Sequence, residues 1–233
     1  MKPQILVSAV TAGSGKTLFT MGLLRALKNR GMKVQPYKCG ADFIDSSYLS
    51  IAADKESVNL DAWMSSPTHT QHIYNRYGEQ ADACITEGTA ALFDGYRRMQ
   101  GSSAEIANIL NLPVILLVNA RMAGYSVAPL LYGYKHFYSG VHIAGVIFNQ
   151  VSSPAHYAHL REACSDTGLD CLGYLPVMEE VKLFPKHNAI SLANRRIIDE
   201  QANIVASQIE KSIDISRMLN RCNRNFPCQY TLP

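Results

Sequence analysis

The residues with the clearest chemical potential lie in a short segment near the start of the chain, residues 11–17 with the sequence TAGSGKT. Glycines here let the backbone turn so that its N–H groups point at phosphate oxygens, and a following helix would add the positive end of its dipole. Lys16 would reach the β- and γ-phosphates of a nucleotide, and the Thr17 hydroxyl would bind Mg²⁺. The predicted nucleotide-binding residues of this loop are Gly13, Ser14, Gly15, Lys16, Thr17 and Leu18.

This segment departs from the usual phosphate-loop pattern at one position. The pattern places a glycine six positions before the lysine, where this chain has Val10. An apolar strand pattern before the loop and a helical pattern after it supply the context that the motif requires. Partition-type ATPases carry a second lysine early in the loop, where this chain has Thr11, and its absence argues against a nucleotide-switched dimer.

Four acidic residues lie where predicted strands should open onto a ligand-binding edge. Glu87 ends an apolar run, which is where phosphate-loop proteins keep a carboxylate near magnesium. Asp42 and Asp45 follow the second predicted strand, and Asp94 lies in the sequence LFDG. Asp45 precedes Ser-Ser-Tyr and could instead be only a helix N-cap. Asp94 precedes a glycine and could be only a turn residue.

The elements that must position these residues alternate between apolar strands and helical patterns. The predicted strands cover residues 4–9, 33–38, 83–87, 114–119 and 143–149. The predicted helices cover residues 15–30, 103–110, 125–137, 155–167, 196–212 and 214–221. The strands are continuously apolar, which indicates burial on both faces, so we predict an α/β fold of the P-loop NTPase-like type. Its sheet is mainly parallel, with helices on both faces.

Two long connections, residues 39–66 and 88–102, follow the carboxyl ends of predicted strands. Loops of this length in a compact domain are usually functional or poorly ordered. Open α/β sheets bind their ligands at that edge, so we expect both connections to border the site.

Several segments, taken in order, resemble the cobyrinate a,c-diamide synthase family. They are residues 34–45 (VQPYKCGADFID), 59–64 (NLDAWM), 87–95, which run from Glu-Gly to Leu-Phe-Asp-Gly, and 101–107 (GSSAEIA). Together with the phosphate loop, they extend the resemblance to about residue 190. Each motif alone is modest, and their occurrence in one order makes the resemblance specific.

The resemblance implies a two-stage reaction in cobalamin biosynthesis. ATP phosphorylates the c and then the a side-chain carboxylate of cobyrinate or hydrogenobyrinate, and ammonia displaces the phosphate to give an amide. In the family, ammonia normally comes from glutamine, hydrolysed by a C-terminal domain with a nucleophilic cysteine. The resemblance assigns residues 1–222 to the synthetase domain and residues 223–233 to the start of a linker to a glutaminase domain that this chain lacks.

The same resemblance assigns roles to individual residues. It implies that Thr17, Glu87 and one or both of Asp42 and Asp45 hold Mg²⁺. The catalytic residues that it implies are Lys16, Lys38, Asp45 and Asp94, with Asp94 and the segment 43–44 facing the corrinoid. Asn149 matches the family's adenine-reading position, although a strand-end asparagine that caps a turn is an equal interpretation.

The chain departs from the family at three places. Val10 stands where proline is common, residues 89–91 read TAA where a methionine-glycine pair is usual, and residues 185–188 match only loosely. None of these changes removes a charged group proposed for catalysis. They bear on the details of the substrate.

Composition limits the remaining possibilities. The net charge of +3 is not concentrated in a basic run, so we expect neither a nucleic-acid nor a membrane partner. The six cysteines form no C-x-x-C pair and none follows a strand as a nucleophile would. We therefore expect a cytoplasmic enzyme with reduced thiols that uses ATP and Mg²⁺, and whether it is a monomer or a homodimer stays open.

Two other functions stay open at this point. Dethiobiotin synthetase has this length and a similar fold, and it also activates a carboxyl group, but that family lacks the Asp-Phe-Ile-Asp and Leu-Phe-Asp-Gly motifs. A P-loop ATPase switch protein is the alternative from another class, and Thr11 argues against it.

Overall fold

The computed structural model describes residues 1–181 and 192–226 of the chain. The strands are β1 (Lys2–Ala9), β2 (Val34–Cys39), β3 (Val58–Leu60), β4 (Ala83–Glu87), β5 (Val114–Asn119), β6 (Ile143–Val151), β7 (Cys171–Pro176) and β8 (Asn223–Arg224). The helices are α1 (Lys16–Asn29), α2 (Phe43–Ala53), α3 (Pro67–Gly78), α4 (Ser103–Leu110), α5 (Val127–His136), α6 (Pro154–Asp166), α7 (Leu192–Ser212) and α8 (Ile215–Arg221).

The strands form one sheet in the order β3-β2-β4-β1-β5-β6-β7. Each neighbouring pair in this order is parallel. Strand β8 pairs antiparallel with the start of β1, whereas the phosphate loop follows the end of β1. Since parallel strands place all their carboxyl ends at one edge, the segments that follow β1, β2, β4 and β6 meet there. The predicted fold, a mainly parallel sheet with helices on both faces, is confirmed.

Alternate residues of each central strand enter two separate cores. In β1, Ile5 and Val7 join a core with α1, α2, α7 and α8, whereas Leu6 joins the core beneath α3, α4, α5 and α6. Ile115 and Leu116 of β5 divide in the same way. This two-sided burial explains why the strands are continuously apolar in sequence.

The expectation that residues 39–66 form one long connection was wrong. That stretch contains α2 and β3, and helix α3 follows it. Helix α2 carries three serines, which usually favour turns, but here the hydroxyls of Ser46, Ser47 and Ser50 donate to carbonyl oxygens four residues earlier. Residues 88–102 do form a long connection, with only a small bridge between Arg97 and Gln100.

The chain continues to pack on the domain beyond residue 222. The N–H of Gln4 donates to the carbonyl oxygen of Cys222 at 3.0 Å, and the ring of Phe226 stacks on Tyr74 at 5.5 Å between centroids. The boundary after residue 222 stays a prediction, and the rest of the predicted linker, residues 227–233, lies outside the described residues together with the segment 185–188. In the described part, no helix has both the length and the apolar character needed to cross a bilayer.

Candidate active site

The loop between β1 and α1 has the backbone that a phosphate-binding loop requires. Gly13 and Gly15 have φ of 74° and 88°, in the left-handed region that glycine adopts without strain. Gly15 is also the N-cap of α1, so the helix's unpaired N–H groups begin directly after it. A Cβ on Gly15 would collide with the side-chain amide of Asn149, which gives a second reason for glycine at this position.

Side-chain hydrogen bonds fix the shape of this loop. The Ser14 hydroxyl donates to the carbonyl oxygen of Thr11 at 2.7 Å. From the end of β6, the buried Asn149 donates through Nδ2 to the carbonyl oxygen of Ser14 at 2.8 Å. Its Oδ1 accepts from the N–H of Gln150 at 2.9 Å. Asn149 therefore supports the loop from the neighbouring strand, and its predicted contact with adenine stays a prediction.

A fully buried carboxylate, that of Glu87, lies at the centre of the site. Its Oε1 accepts from the Thr17 hydroxyl at 2.7 Å and from Lys38 Nζ at 3.0 Å. Its Oε2 is also buried and has no hydrogen-bond partner among the described residues. The first turn of α1 and the ends of β4 and β2 thus bring together three residues that are far apart in sequence.

Lys38 joins two carboxylates in this buried network. Its ammonium lies 3.0 Å from Asp45 Oδ2 as well as 3.0 Å from Glu87 Oε1, and it donates to the carbonyl oxygen of Gly88 at 3.1 Å. These three acceptors match the three N–H donors of an ammonium group. Removing Lys38 would leave two negative charges facing each other in a water-poor environment.

The charges of this network shift the pKa values of its members. Burial alone would lower the pKa of Lys38, but the Glu87 and Asp45 carboxylates outweigh it and raise that pKa well above its usual range. Burial raises the pKa of Glu87, and the charge of Lys38 opposes that rise. With two carboxylates and one ammonium, the network has excess negative charge, which suits a divalent cation.

Asp42 has a structural role that the sequence left undecided. Its Oδ1 accepts from the backbone N–H groups of Ile44 and Asp45, at 3.1 and 2.9 Å, and so caps helix α2. The interpretation of Asp45 as the N-cap was therefore wrong. Asn59 holds the same turn by donating to the carbonyl oxygen of Gly40 at 2.6 Å. The cap places Asp45 in the first turn of α2, where it contacts Lys38.

Lys16 is buried, and its side chain crosses to the connection that follows β4. Its ammonium donates to the carbonyl oxygen of Ala90. Residues 89–91, the segment that departs from the family pattern, therefore contact the lysine of the phosphate loop. Ala90 itself has a φ of 38°, so this connection is held in an uncommon backbone conformation next to the site.

Asp94 lies farther along the same connection and is exposed. The Phe93 ring beside it packs on Tyr134 and Phe137 of the α5 region, with centroids at 5.3 and 5.0 Å. Burial and the neighbouring Asp94 carboxylate raise the pKa of Tyr134. Among the described residues no ion pair joins Asp94 to the Lys38 network, so its predicted contact with substrate remains a prediction.

The donor set fits magnesium better than a transition metal. Within residues 1–181 and 192–226, no three His, Cys, Asp or Glu side chains form a preformed metal cage. Mg²⁺ is usually held by one or two carboxylates together with phosphate oxygens and water, so it needs no such cage. The carboxylate of Glu87 is the kind of ligand that Mg²⁺ prefers: Oε1 accepts from the Thr17 hydroxyl, and Oε2 has no hydrogen-bond partner among the described residues.

An open cavity of about 450 Å³ continues the site beyond β2. Its lining includes Gly40, which follows β2, and Leu60, which ends β3. Trp63 and Tyr96 form its aromatic wall. None of these four residues was predicted from the sequence as a site residue, although the NLDAWM motif that contains Trp63 was a signal that could have indicated one.

Comparison with known proteins adds family information to this geometry. The family described as the CobQ/CobB/MinD/ParA nucleotide binding domain matches residues 5–192. A cobyrinate a,c-diamide synthase of Dehalococcoides mccartyi is 36% identical over 99% of this chain and 52% of its own length. A hydrogenobyrinate a,c-diamide synthase of Brucella ovis is 39% identical over 90% of this chain and 47% of its own length. The chain thus spans about half the length of the curated relatives that it matches.

Similar solved structures agree with the fold. Chloroplast FtsY from Physcomitrella patens superposes with a TM-score of 0.53 and 13% identity, covering 85% of this chain and 65% of FtsY. FlhF in complex with GMPPNP and Mg²⁺ gives a TM-score of 0.55 and 12% identity, covering 76% of this chain and 66% of FlhF. At these identities the likeness establishes a common architecture and nothing about the reaction.

Proposed function

We propose that this chain is the ATP-dependent synthetase unit of a cobyrinate or hydrogenobyrinate a,c-diamide synthase. The proposal starts from the fact that the chain belongs to the CobQ/CobB/MinD/ParA nucleotide binding domain family. Its nucleotide is ATP, bound with Mg²⁺, and its substrate is a corrinoid carboxylate. The observation that carries this proposal is the buried network of Thr17, Glu87, Lys38 and Asp45 beside the phosphate loop.

The order of the strands supports a direction for phosphoryl transfer. Along the carboxyl edge, Asn149 lies near the end of β6, the phosphate loop follows β1, Glu87 ends β4 and Lys38 lies near the end of β2. A nucleotide with its base near β6 and its phosphates on the loop therefore directs its γ-phosphate toward β4 and β2. An acceptor carboxylate must then approach from the side of β2 and β3.

The proposed reaction has two bond exchanges. A carboxylate oxygen of the corrinoid attacks the γ-phosphorus, the bond from that phosphorus to the ADP oxygen breaks, and an acyl phosphate forms. Ammonia then attacks the acyl carbon, the carbon–oxygen bond to phosphate breaks, and a proton leaves the nitrogen to give the amide. The first exchange is needed because a carboxylate is a poor electrophile, whereas phosphate is a good leaving group.

The residues of the chain bind and orient the reacting groups. Lys16 and the loop N–H groups hold the phosphates, and Lys38 places a second positive charge where the phosphoryl group arrives. Thr17, Glu87 and Asp42 would hold Mg²⁺, which when bound would draw charge from the phosphate oxygens. Asp45 keeps the Lys38 ammonium in place, and Asp94 faces the corrinoid.

The described cysteines support ammonia as the nitrogen donor for this chain. Cys39, Cys84, Cys164 and Cys222 are buried, and burial raises the pKa of Cys84 to about 11 and of Cys222 to about 12. A hydrogen bond with Cys164 lowers the pKa of Cys171 to about 7. However, Cys171 begins β7 and so lies at the amino edge of the sheet, away from the site. Cys39 does lie beside the site, but burial raises its pKa to about 12. None of these five thiols is therefore both at the site and reactive enough to release nitrogen from glutamine.

The test is to incubate the chain with cobyrinate, MgATP and either an ammonium salt or glutamine, and to determine the product by mass. We expect amides from the ammonium salt, at a rate that rises with pH toward the pKa of ammonium because NH₃ is the nucleophile. We expect none from glutamine. Efficient use of glutamine would contradict the nitrogen source, and turnover of diaminopelargonic acid in place of cobyrinate would support a dethiobiotin-synthetase-like function instead.

A further inference from the structure

The cavity of about 450 Å³ lies where an acceptor carboxylate must enter. Gly40, which lines it, is two residues from Lys38 along the chain, and Leu60 belongs to the edge strand β3. Gly101 and, from α4, Ile106 also line the cavity, so it borders the β2 and β3 end of the sheet on the side that α4 covers. Its position alone makes it the candidate for the substrate's remaining bulk, since a carboxylate at Lys38 projects the rest of its molecule toward β3.

The wall of this cavity is aromatic and held in place by its own turns. Trp63 and Tyr96 are 71% and 65% exposed, and their rings meet edge to face with centroids 6.2 Å apart. Asp61 Oδ1 accepts from the N–H of Trp63 at 2.8 Å, which fixes the turn that presents the indole. Gly101 has a φ of 76° and lies under the Tyr96 ring, where a side chain would displace it.

Two arginines extend from the same turn as Tyr96. The N–H of Gly95 donates to the carbonyl oxygen of Arg98 at 2.8 Å, and the N–H of Tyr96 donates to that of Gln100 at 3.0 Å, which closes a small hairpin. Arg97 and Arg98 lie at its tip and are exposed. Among the described residues neither guanidinium forms a salt bridge, so the hairpin presents two positive charges beside an aromatic surface.

We propose that this aromatic cavity, with Arg97 and Arg98, binds the body of the substrate, a macrocyclic polycarboxylate. The proposal rests on the proposed function and assigns residues to its specificity. Trp63 and Tyr96 contact the apolar rim of the macrocycle, because aromatic surfaces bury large area at small entropic cost. Arg97 and Arg98 bind peripheral carboxylates that are not reacting, through the planar fork that suits a carboxylate.

Charge complementarity selects this occupant over an uncharged one. A corrinoid acid carries several carboxylates around its rim, and only one can lie at Lys38 at a time. The others need partners, and the hairpin that carries Tyr96 also carries two guanidinium groups that form no salt bridge with the described residues. Arginines in this role discriminate between the acid and its fully amidated form, which a purely apolar cavity would bind about equally.

The test measures corrinoid affinity by calorimetry without nucleotide. The double variant Arg97→Ala/Arg98→Ala should weaken binding of cobyrinate about tenfold or more, at roughly threefold to tenfold for each arginine. The double variant should bind a fully amidated corrinoid, which has no peripheral carboxylate, as tightly as the unchanged chain does. Trp63→Ala should weaken binding of both corrinoids by about tenfold. Arg196→Ala and Tyr132→Ala, exposed changes on α7 and α5, serve as matched controls.

Turnover separates this inference from the proposed function. The arginine and tryptophan variants should raise KM for cobyrinate while keeping the affinity for ATP and most of kcat at saturation. If all variants bind and amidate cobyrinate as the unchanged chain does, the cavity is not the substrate site and the proposed function stands. Loss of affinity for the fully amidated corrinoid in the double arginine variant would overturn the role of charge. If the unchanged chain neither binds nor amidates cobyrinate, both proposals fall.

Discussion

The residues at the centre of the site carry charges that are buried together. Lys38, Asp45 and Glu87 are each almost inaccessible to water and would be costly to bury singly. Their mutual contacts explain how the fold tolerates them. Groups of this kind are kept where a reaction needs fixed charge in a water-poor environment, and this cluster lies beside a phosphate loop.

Lys16→Ala removes the ammonium that we assign to the β- and γ-phosphates. We expect affinity for ATP to fall and turnover to be lost, because the transferred phosphoryl group no longer has its main cationic contact. Calorimetric titration with ATP measures the first effect. Lys28→Ala, a change at a half-exposed lysine near the end of the same helix, is the control and should alter neither quantity. Full activity in the Lys16 variant would remove the loop from the mechanism.

Glu87→Gln keeps the shape of the side chain and its ability to accept hydrogen bonds from Thr17 and Lys38. It loses the negative charge that a hard divalent cation prefers. We therefore expect turnover to drop by about a hundredfold or more, with nucleotide affinity in the absence of magnesium nearly unchanged. A variant that amidates at close to the original rate with the same magnesium requirement would show that Glu87 is only structural.

Among the helices and strands, the starts of α1 and α2 determine where the side chains of the site lie. The Gly15 N-cap of α1 and the Asp42 N-cap of α2 both lie at the carboxyl edge of the sheet. The sequence identified α1 from its glycines and lysine, but α2 was missed because its serines weaken the helical pattern. Their hydroxyl bonds to carbonyls one turn back, and the cap from Asp42, became visible only in three dimensions. The pairing of Lys38 with Asp45 was missed for the same reason.

Two substitutions at Asp42 separate its cap from its charge. Asp42→Ala loses the cap, so the free energy of unfolding should fall by about 1 kcal/mol. Asp42→Asn retains an oxygen that can accept from Ile44 and Asp45, so its stability should be close to the original. The magnesium concentration that gives half-maximal turnover should nevertheless rise, since the carboxylate charge is gone. An unchanged magnesium requirement in Asp42→Asn would leave Asp42 as a positioning residue alone.

A matched pair of glycine substitutions tests the packing of the loop against β6. Both Gly13 and Gly15 have positive φ, but a Cβ on Gly13 meets nothing within 4 Å, whereas a Cβ on Gly15 collides with Asn149. We expect Gly13→Ala to cost about 1 kcal/mol of stability from backbone strain and Gly15→Ala to cost more. ATP affinity should fall further in the Gly15 variant. Equal effects in thermal unfolding would mean that the contact with Asn149 does not constrain the loop.

In the whole molecule, the order of the strands places the residues of the proposed site along one edge of the sheet. The strand pattern predicted the parallel sheet and the position of Glu87, because continuous apolar runs and strand-end charges are local features of the sequence. The cavity of Trp63 and Tyr96 could not be predicted in this way. It forms between segments 33 residues apart in sequence, and their meeting depends on β3 joining the sheet at its edge.

The proposed acyl phosphate intermediate can be tested by following the oxygen of the substrate carboxylate. Cobyrinate labelled in its peripheral carboxylates with a heavy oxygen isotope is incubated with the chain, MgATP and an ammonium salt, and the inorganic phosphate is analysed by mass. If a carboxylate oxygen attacks the γ-phosphorus and ammonia later expels phosphate, each amide formed releases one phosphate that carries one labelled oxygen. Amide formation with unlabelled phosphate would contradict an acyl phosphate intermediate, and with it the mechanism derived from this site.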